Sequence, residues 1–415
     1  MSEENIKSSP YRWVILAIYM LVVSVNQLMW ITFAPVTGVA ASFYHVSDLS
    51  IGLLSMVFMV VYILVSIPAS AIIDIYGIRV AVGIGAVLTG IFGLMRGVMG
   101  SHFHWVMAAQ IGIAIGQPFL LNSMTTVAAR WFPIRERATA SGLGSLAMYF
   151  GIILGMALTP YLVIHSGMDR MLVTYGIVSL IVAVIFLILV KERPPTPAGK
   201  EERSLVFDGM KSMLHRKNYI ILLIIFFFGL GIFNAVATWI EEIVRPRGFS
   251  VTEAGMAGGL MIFGGLTGAA IISWLSDRYH KRVPFILLAL AVSSLGLVGI
   301  TFATNYILLL ISAFIMGFFL LSAGPIGFQY GAEIAYPAPE GTSNGLLLLM
   351  GQIAGIAFIF GMDIFKIPGT GSMTYSLLIL TGLLILSFLL ATRLRESKLL
   401  IEEKPVEPTS APLSS

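Results

Sequence analysis

The residues able to do chemistry within this sequence are few, and nearly all are uncharged. Asn26, Gln27 and Trp30 stand together in one long apolar stretch, and Gln110, Gln117 and Asn122 in another. Tyr149, the pair Asn234 and Trp239, and Gln352 stand in three more. Amides and aromatic rings can hold a small polar or cationic molecule, by hydrogen bonds and by attraction of a cation to a ring face. They cannot by themselves cleave or transfer a group, and no catalytic residue is expected. With no cysteine in the chain, thiolate nucleophiles, disulfides and thiolate metal sites are excluded. The six histidines, at 45, 102, 104, 165, 215 and 280, lie in loops or at the ends of apolar stretches. His102 and His104 have no carboxylate beside them and read as interfacial residues, so neither metal nor cofactor is expected. No glycine-rich phosphate loop occurs, which argues against ATP as a driver.

Composition says what must position these groups. Of the 415 residues, 57% are apolar and 11% charged, with a mean hydropathy of +0.92. A soluble domain carries about 25% charged residues, so soluble enzymes and nucleic-acid binders fit poorly, and lipid is the expected solvent. Stretches free of Asp, Glu, Lys and Arg run at 13–47, 49–73, 80–95, 103–129, 138–168, 171–190, 218–240, 254–276, 283–332, 341–362 and 367–392. A membrane helix needs about 20 apolar residues. The stretch at 283–332 would make a helix of about 75 Å, so it must fold back, and Thr304-Asn305-Tyr306 is the expected turn. Twelve spans result, the third continuing past Arg96, whose side chain is expected to snorkel to the interface. Lys and Arg favour the cytoplasmic side. With both ends inside, 20 of the 25 basic residues fall there.

Expected boundaries follow. A cytoplasmic tail occupies 1–12, a first six-helix bundle 13–190, a cytoplasmic linker 191–217, a second bundle 218–395 and a disordered tail 396–415. Within the linker, Ser204 to His215 has the apolar spacing of a short interfacial helix. A shift of 203 residues carries Asp74 onto Asp277, Tyr76 onto Tyr279 and Arg79 onto Arg282. The loop WFPIRERATASG meets AYPAPEGTSNG at nearly the same offset. The chain therefore reads as a duplicated unit, six spans plus six.

The Asp74-x-x-Gly77-x-Arg79 loop and its echo at Asp277, Arg278 and Arg282 resemble the loop signature of the major facilitator superfamily. That resemblance implies an all-α membrane protein of twelve helices in two pseudo-symmetric bundles, rocking about a midplane site. The segments FYHVSDLSIGLLSMVFMVVYI, AARWFPIRERATA and GPIGFQYGAEIAYPAPEGTSNGLLLLMGQIAGI resemble the feline leukaemia virus subgroup C receptor-related transporters, relatives linked to choline, ethanolamine and haem. The resemblance implies an alternating-access carrier, not an enzyme, with a small-molecule substrate, a lipid environment, no nucleic-acid partner and a monomeric state. It implies a cell-membrane location with both ends cytoplasmic. Gating falls to Asp74, Gly77, Arg79, Asp277, Arg278 and Arg282, with Asp74 facing the start of span 11 near Gly341 to Asn344.

In the choline-transporting relatives, a span-1 tryptophan and a span-7 tyrosine face the quaternary ammonium, with glutamines in spans 4 and 11. Trp30, Gln117 and Gln352 match; Asn234 stands at the tyrosine position, beside Phe233. Asn26 and Tyr149 join them on cavity spans, although single amides also commonly bridge helices. Gly151 and Gly155, and Gly351 and Gly355, are expected to let helices approach closely, in spans that meet between bundles. Glu241, Glu242, Glu333 and Asp363 fall near span ends, and the lack of a central carboxylate points to facilitation. A proton-coupled or organic-anion carrier is the alternative within the superfamily, and a channel, a receptor or a membrane-embedded enzyme outside it. On this topology, a cysteine introduced at Thr196 is expected to react with an impermeant maleimide only after cells are permeabilised. Labelling of intact cells would overturn the orientation.

Overall fold

The computed structural model describes residues 9–192, 213–336 and 340–397, and among them the regular structure is helical throughout. Twelve helices are long and apolar enough to cross a bilayer. The first six are α1 (Tyr11–Ile31), α2 (Asp48–Tyr76), α3 (Ile78–Val98), α4 (Phe103–Leu121), α5 (Ile134–Ser166) and α6 (Met168–Leu189). The second six are α7 (Lys217–Thr238), α8 (Val251–Tyr279), α9 (Val283–Phe302), α10 (Tyr306–Ala335), α11 (Glu340–Ile364) and α12 (Thr374–Ala391). Most of the expected interfacial helix at 204–215, and the tail beyond Ser397, lie outside the described residues. An even number of crossings puts Ser9 and Ser397 on one face, here the tail face; the other is the far face.

Local chemistry sets the ends of these helices. The long apolar stretch breaks where expected: Asn305 caps α10, its Oδ1 accepting from the Leu308 N–H at 2.9 Å. Ser47 caps α2 by accepting from Ser50 N–H, and Ser250 caps α8 with a reciprocal box to Glu253. Ser47 and Ser250 are related by the same 203-residue shift. So are two pairs of left-handed residues: His45 (φ 55°) with Gly248 (φ 85°), and Gly77 (φ 86°) with His280 (φ 51°). Glycine takes this conformation without a Cβ penalty; the histidines take it because the turn between two helices demands it. A further echo lies just past α6 and α12. Glu192 accepts from the N–H groups of Ile78 and Arg79, and Glu396 from those of Arg282 and Val283. Each carboxylate thus sits at the positive end of a helix.

Within each half, matching pairs pack together: α3 on α6 and α9 on α12, α1 on α5 and α7 on α11. The halves meet chiefly through α5 against α8 and α2 against α11, a crossed pair that the pseudo-symmetry exchanges. The glycines act partly as expected and partly elsewhere. A Cβ at Gly151 would stand 2.1 Å from the Ser24 carbonyl oxygen, and one at Gly155 2.4 Å from Ile31. These glycines therefore let α5 close onto α1 of its own half. The close approach between α5 and α8 is made by Gly255 and Gly258, which rest on Met156. Gly351 packs on Leu230 of its own half; Gly355 alone of the four reaches across, to Met59 of α2.

Overpacking a filled interface costs about 1–3 kcal/mol. Gly151→Ala is therefore expected to lower the apparent melting temperature of the purified protein. Gly142→Ala, whose Cβ meets nothing within 4 Å, is expected to leave it unchanged or raised. Equal effects of the two substitutions would contradict this packing.

Candidate functional site

The structure sorts the buried amides into those engaged within a bundle and those left unpartnered. Asn26 is fully buried and donates to Thr89 Oγ1 at 3.0 Å and to the Ile113 carbonyl at 3.4 Å, tying α1 to α3 and α4. Gln27 leans on Asn26. Asn122 accepts from the Tyr62 hydroxyl at 2.9 Å and donates to Ser66 and Ser70, tying α4 to α2. These are helix braces. Gln117 on α4, Tyr149 on α5 and Gln352 on α11 differ: among the described residues their polar heads make no hydrogen bond.

Trp30, 7% exposed, donates from its indole nitrogen to the Ser55 carbonyl of α2 at 3.1 Å. One turn along α2 is Met59, against Gly355 of α11, and the Asn234 amide flanks the same glycine. Asn234 makes only a long contact, 3.4 Å, with the Gly351 carbonyl. The turn 55–59 of α2 therefore stands between Trp30 of one half and Asn234 of the other, and Gln352 follows Gly351, the residue that Asn234 contacts, on α11.

The far-face end of that seam is closed. Trp239 is fully buried, donates to the Ile359 carbonyl at 3.1 Å, and lies against Gly52, where a Cβ would stand 2.7 Å from its ring. It forms a seal between α2 and α11. Above it, Asp48 of the first half meets Arg245 at 3.0 Å and Lys366 at 2.9 Å, both of the second. Lys366 also pairs with Glu242, and Arg245 with Glu241 and Glu242. The Gly38 N–H donates to Glu241 at 2.9 Å. A cleft of about 1030 Å³, lined also by Asp363, opens from this cluster to the far face.

Sequence reasoning placed Glu241 and Glu242 correctly near a helix end but missed their burial, 2% and 0% exposed. The signal available was their adjacency to Arg245. Burial pushes the Glu242 carboxyl up to about 7, with Asp48 adding to the rise and Lys366 and Arg245 opposing it. Glu241 is raised for the same first reason. Lys366 is raised by its two carboxylate partners, which outweigh its burial.

The tail face shows no such bridge among the ion pairs that can be described. Arg12 with Glu136, Arg130 with Glu192, and Arg282 with Asp277 and Glu333 each stay within one half. Asp74 and Arg79 are exposed, Arg278 lies over the Trp274 ring, and Gly77 closes the α2–α3 turn. Arg282, expected as a gate residue, is 7% exposed and held by partners in its own half. The surroundings of Gly341 and Thr342, which Asp74 is expected to face, lie outside what the structure describes. Arg96 also departs from expectation: it is fully buried and not at the interface, because it finds acceptors inside its bundle. No three His, Asp or Glu side chains among the described residues converge as metal ligands.

Two six-helix halves around a seam closed at one face define a membrane carrier. The chain belongs to the Major Facilitator Superfamily, whose family model matches residues 19–359. Solute carrier family 49 member A3 of Xenopus tropicalis is 30% identical over 369 residues, 84% of this chain and 76% of that protein. Choline/ethanolamine transporter FLVCR1 of Mus musculus is 29% identical over 390 residues, 84% of this chain and 69% of that one. Among solved structures, a bacterial homologue of the human lysosomal transporter Spinster, inward-facing and unoccupied, superposes with a TM-score of 0.74 at 16% identity. That superposition covers 93% of this chain and 98% of the other, and it is a likeness of fold. The protein is thus an integral multi-pass membrane transporter of small solutes.

The far-face cluster has a pH signature. A carboxyl whose pKa rises on closure stabilises the closed state fully below its ordinary pKa, and that contribution is lost as pH rises through the raised value. Closure at the far face is therefore expected to strengthen on going from about pH 8 to about pH 6 as Glu242 takes a proton. A cysteine at Ser55, beneath the Trp239 seal, is expected to react more slowly with a far-side thiol reagent at the lower pH, after correction for thiol ionisation. Glu242→Gln is expected to flatten that dependence; an unchanged dependence would assign it to another group.

Proposed function

We propose that the protein is an alternating-access facilitator for a small polar or cationic metabolite, with choline-like amines as the first class to try. The observation that carries this reading is the seam around α2 turn 55–59. There Trp30 of one half and Asn234 of the other flank the turn, and the Gln352, Gln117 and Tyr149 polar heads, on α11, α4 and α5, make no hydrogen bond among the described residues. No carboxylate stands among them, so a cation is held by ring and amide oxygens alone. Relatives named as choline/ethanolamine transporters support the same class. The halves 13–190 and 218–395 act as the two rocking bodies of a monomer in the plasma membrane. The tail face is cytoplasmic, as are the segments 1–12, 191–217 and 396–415, and the face crossed by the Asp48 ion pairs is the outer one. In the opposite state Asp74, with Gly77 and Arg79, and its echo Asp277 to Arg282 latch the tail face.

A second reading, proton coupling, is favoured by one observation: the buried Glu242 carboxyl sits on the surface that must part when the far face opens. Collapsing the proton gradient in vesicles separates the two, since a facilitator keeps its initial rate.

The direct test is saturable uptake of labelled choline and ethanolamine into vesicles. One well-placed ring contributes about 0.5–2 kcal/mol to holding a cation, so Trp30→Ala is expected to raise the half-saturation concentration by about tenfold. Trp239→Ala, at the seal, is expected to change it less. Normal transport by Trp30→Ala, or preference for a multivalent anion, would sink the site.

A further inference from the structure

Arg96 stands buried near the far-face end of α3, with no carboxylate within ion-pair reach among the described residues. A charge in such a place is costly unless its donors are answered. Its guanidinium grips the last turn of α1. Nη1 donates to the Met29 carbonyl at 3.0 Å and to Gln110 Oε1 at 2.9 Å. Nη2 donates to Thr32 Oγ1 at 3.3 Å and touches Met29 Sδ. The Phe33 ring centre lies 5.5 Å from the guanidinium carbon. Gln110 reinforces the grip, donating to the same Met29 carbonyl at 3.3 Å.

Trp30 lies between the two points held, Met29 and Thr32. Its indole N–H is fixed separately on Ser55. After Ile31 the helix ends, and the chain runs through the 3-10 turn Ala34–Val36 to Gly38, which donates to Glu241 at the far-face cluster. The arrangement uses what distinguishes arginine from lysine, a rigid planar fork that addresses two separated acceptors at once. An apolar residue of similar size would fill the space without a desolvated charge. What the fork adds is orientation of the α1 end.

We propose that Arg96 is a positioning residue for Trp30, holding the last turn of α1 so that the indole meets the substrate at a fixed height and tilt. The proposal rests on the reading of Trp30 as the substrate's ring, and its test keeps the two apart. The full chain is labelled with 5-fluorotryptophan, and the Trp30 resonance among the six tryptophans is identified by its loss in Trp30→Phe. Arg96→Gln and Arg96→Lys are expected to move the Trp30 line more than any other tryptophan line, without any substrate present. In uptake, Arg96→Gln is expected to raise the half-saturation concentration by about tenfold, the scale of losing hydrogen bonds to a charged donor. Its maximal rate per folded molecule is expected to change far less. Arg96→Lys is expected to recover melting temperature but not the half-saturation value, and it carries the test if Arg96→Gln does not fold. A Trp30 line unmoved in both variants overturns the proposal whatever the substrate is. So does a moved line with normal half-saturation, or full recovery of both by lysine. Normal uptake by Trp30→Ala, with the line still moved by Arg96→Lys, would overturn the substrate reading of Trp30 and leave Arg96 as a support of the α1 end only.

Discussion

Hydrocarbon offers no hydrogen bonds, and the structure follows from that. Every backbone group in the spans must be answered within its own segment, which leaves helices as the means of crossing for a chain of this composition. The same constraint reaches the side chains. Asn26 is answered by Thr89 and Ile113, Asn122 by Tyr62 and two serines, and the two terminal nitrogens of Arg96, though not its Nε, by Met29, Thr32 and Gln110. Against that background the groups left unanswered carry information. Gln117, Gln352 and Tyr149 make no hydrogen bond with their polar heads among the described residues.

The two ends of the seam are built differently. The far face is held by charges that cross between halves, Asp48 to Arg245 and Lys366, over a tryptophan that fills the gap. The tail-face charges that can be described hold each half to itself. Glu192 and Glu396 fasten the sixth helix of each half to the start of its third, and Arg282 gathers the end of α8 and the end of α10. Such a division suits bodies that move as rigid units: internal fastenings keep each half whole, and among the described residues the ion pairs that cross between halves are gathered at the far face. The two pairs that cross between halves, Asp48 with Arg245 and with Lys366, are only partly buried, and such pairs are weak individually, so they can hold a state without making it permanent.

Much of this was legible in the sequence, for stated reasons. Charge gaps revealed the spans, because lipid excludes charge all along a helix. The fold-back at Asn305 followed from length alone. The duplication showed in the loops, where turn geometry restricts residue type. Side-chain partners were not legible. Arg96 reads as an interfacial arginine in any one-dimensional count, since its acceptors come from α1 and α4. Glu241 and Glu242 look exposed until Asp48 and Lys366, far away in sequence, are folded over them. Asn26 and Gln117 are equally polar and equally placed in their spans, and only packing decides which is a brace and which is left open. Glycines in α5 announced close contact without saying which neighbour would come close.

The left-handed pairs carry a last consequence. At His45 and Gly248 the two halves keep one left-handed backbone while exchanging histidine for glycine, whereas Gly77 and His280 share a positive φ but differ in ψ, −177° against 43°. At the first pair the duplicated geometry has outlasted the letters. Torsion is the more durable record of descent in this fold. A chimaera that trades one half's segment for the other's has its natural joint at the His45 and Gly248 kink, where both copies already agree on the direction of the chain.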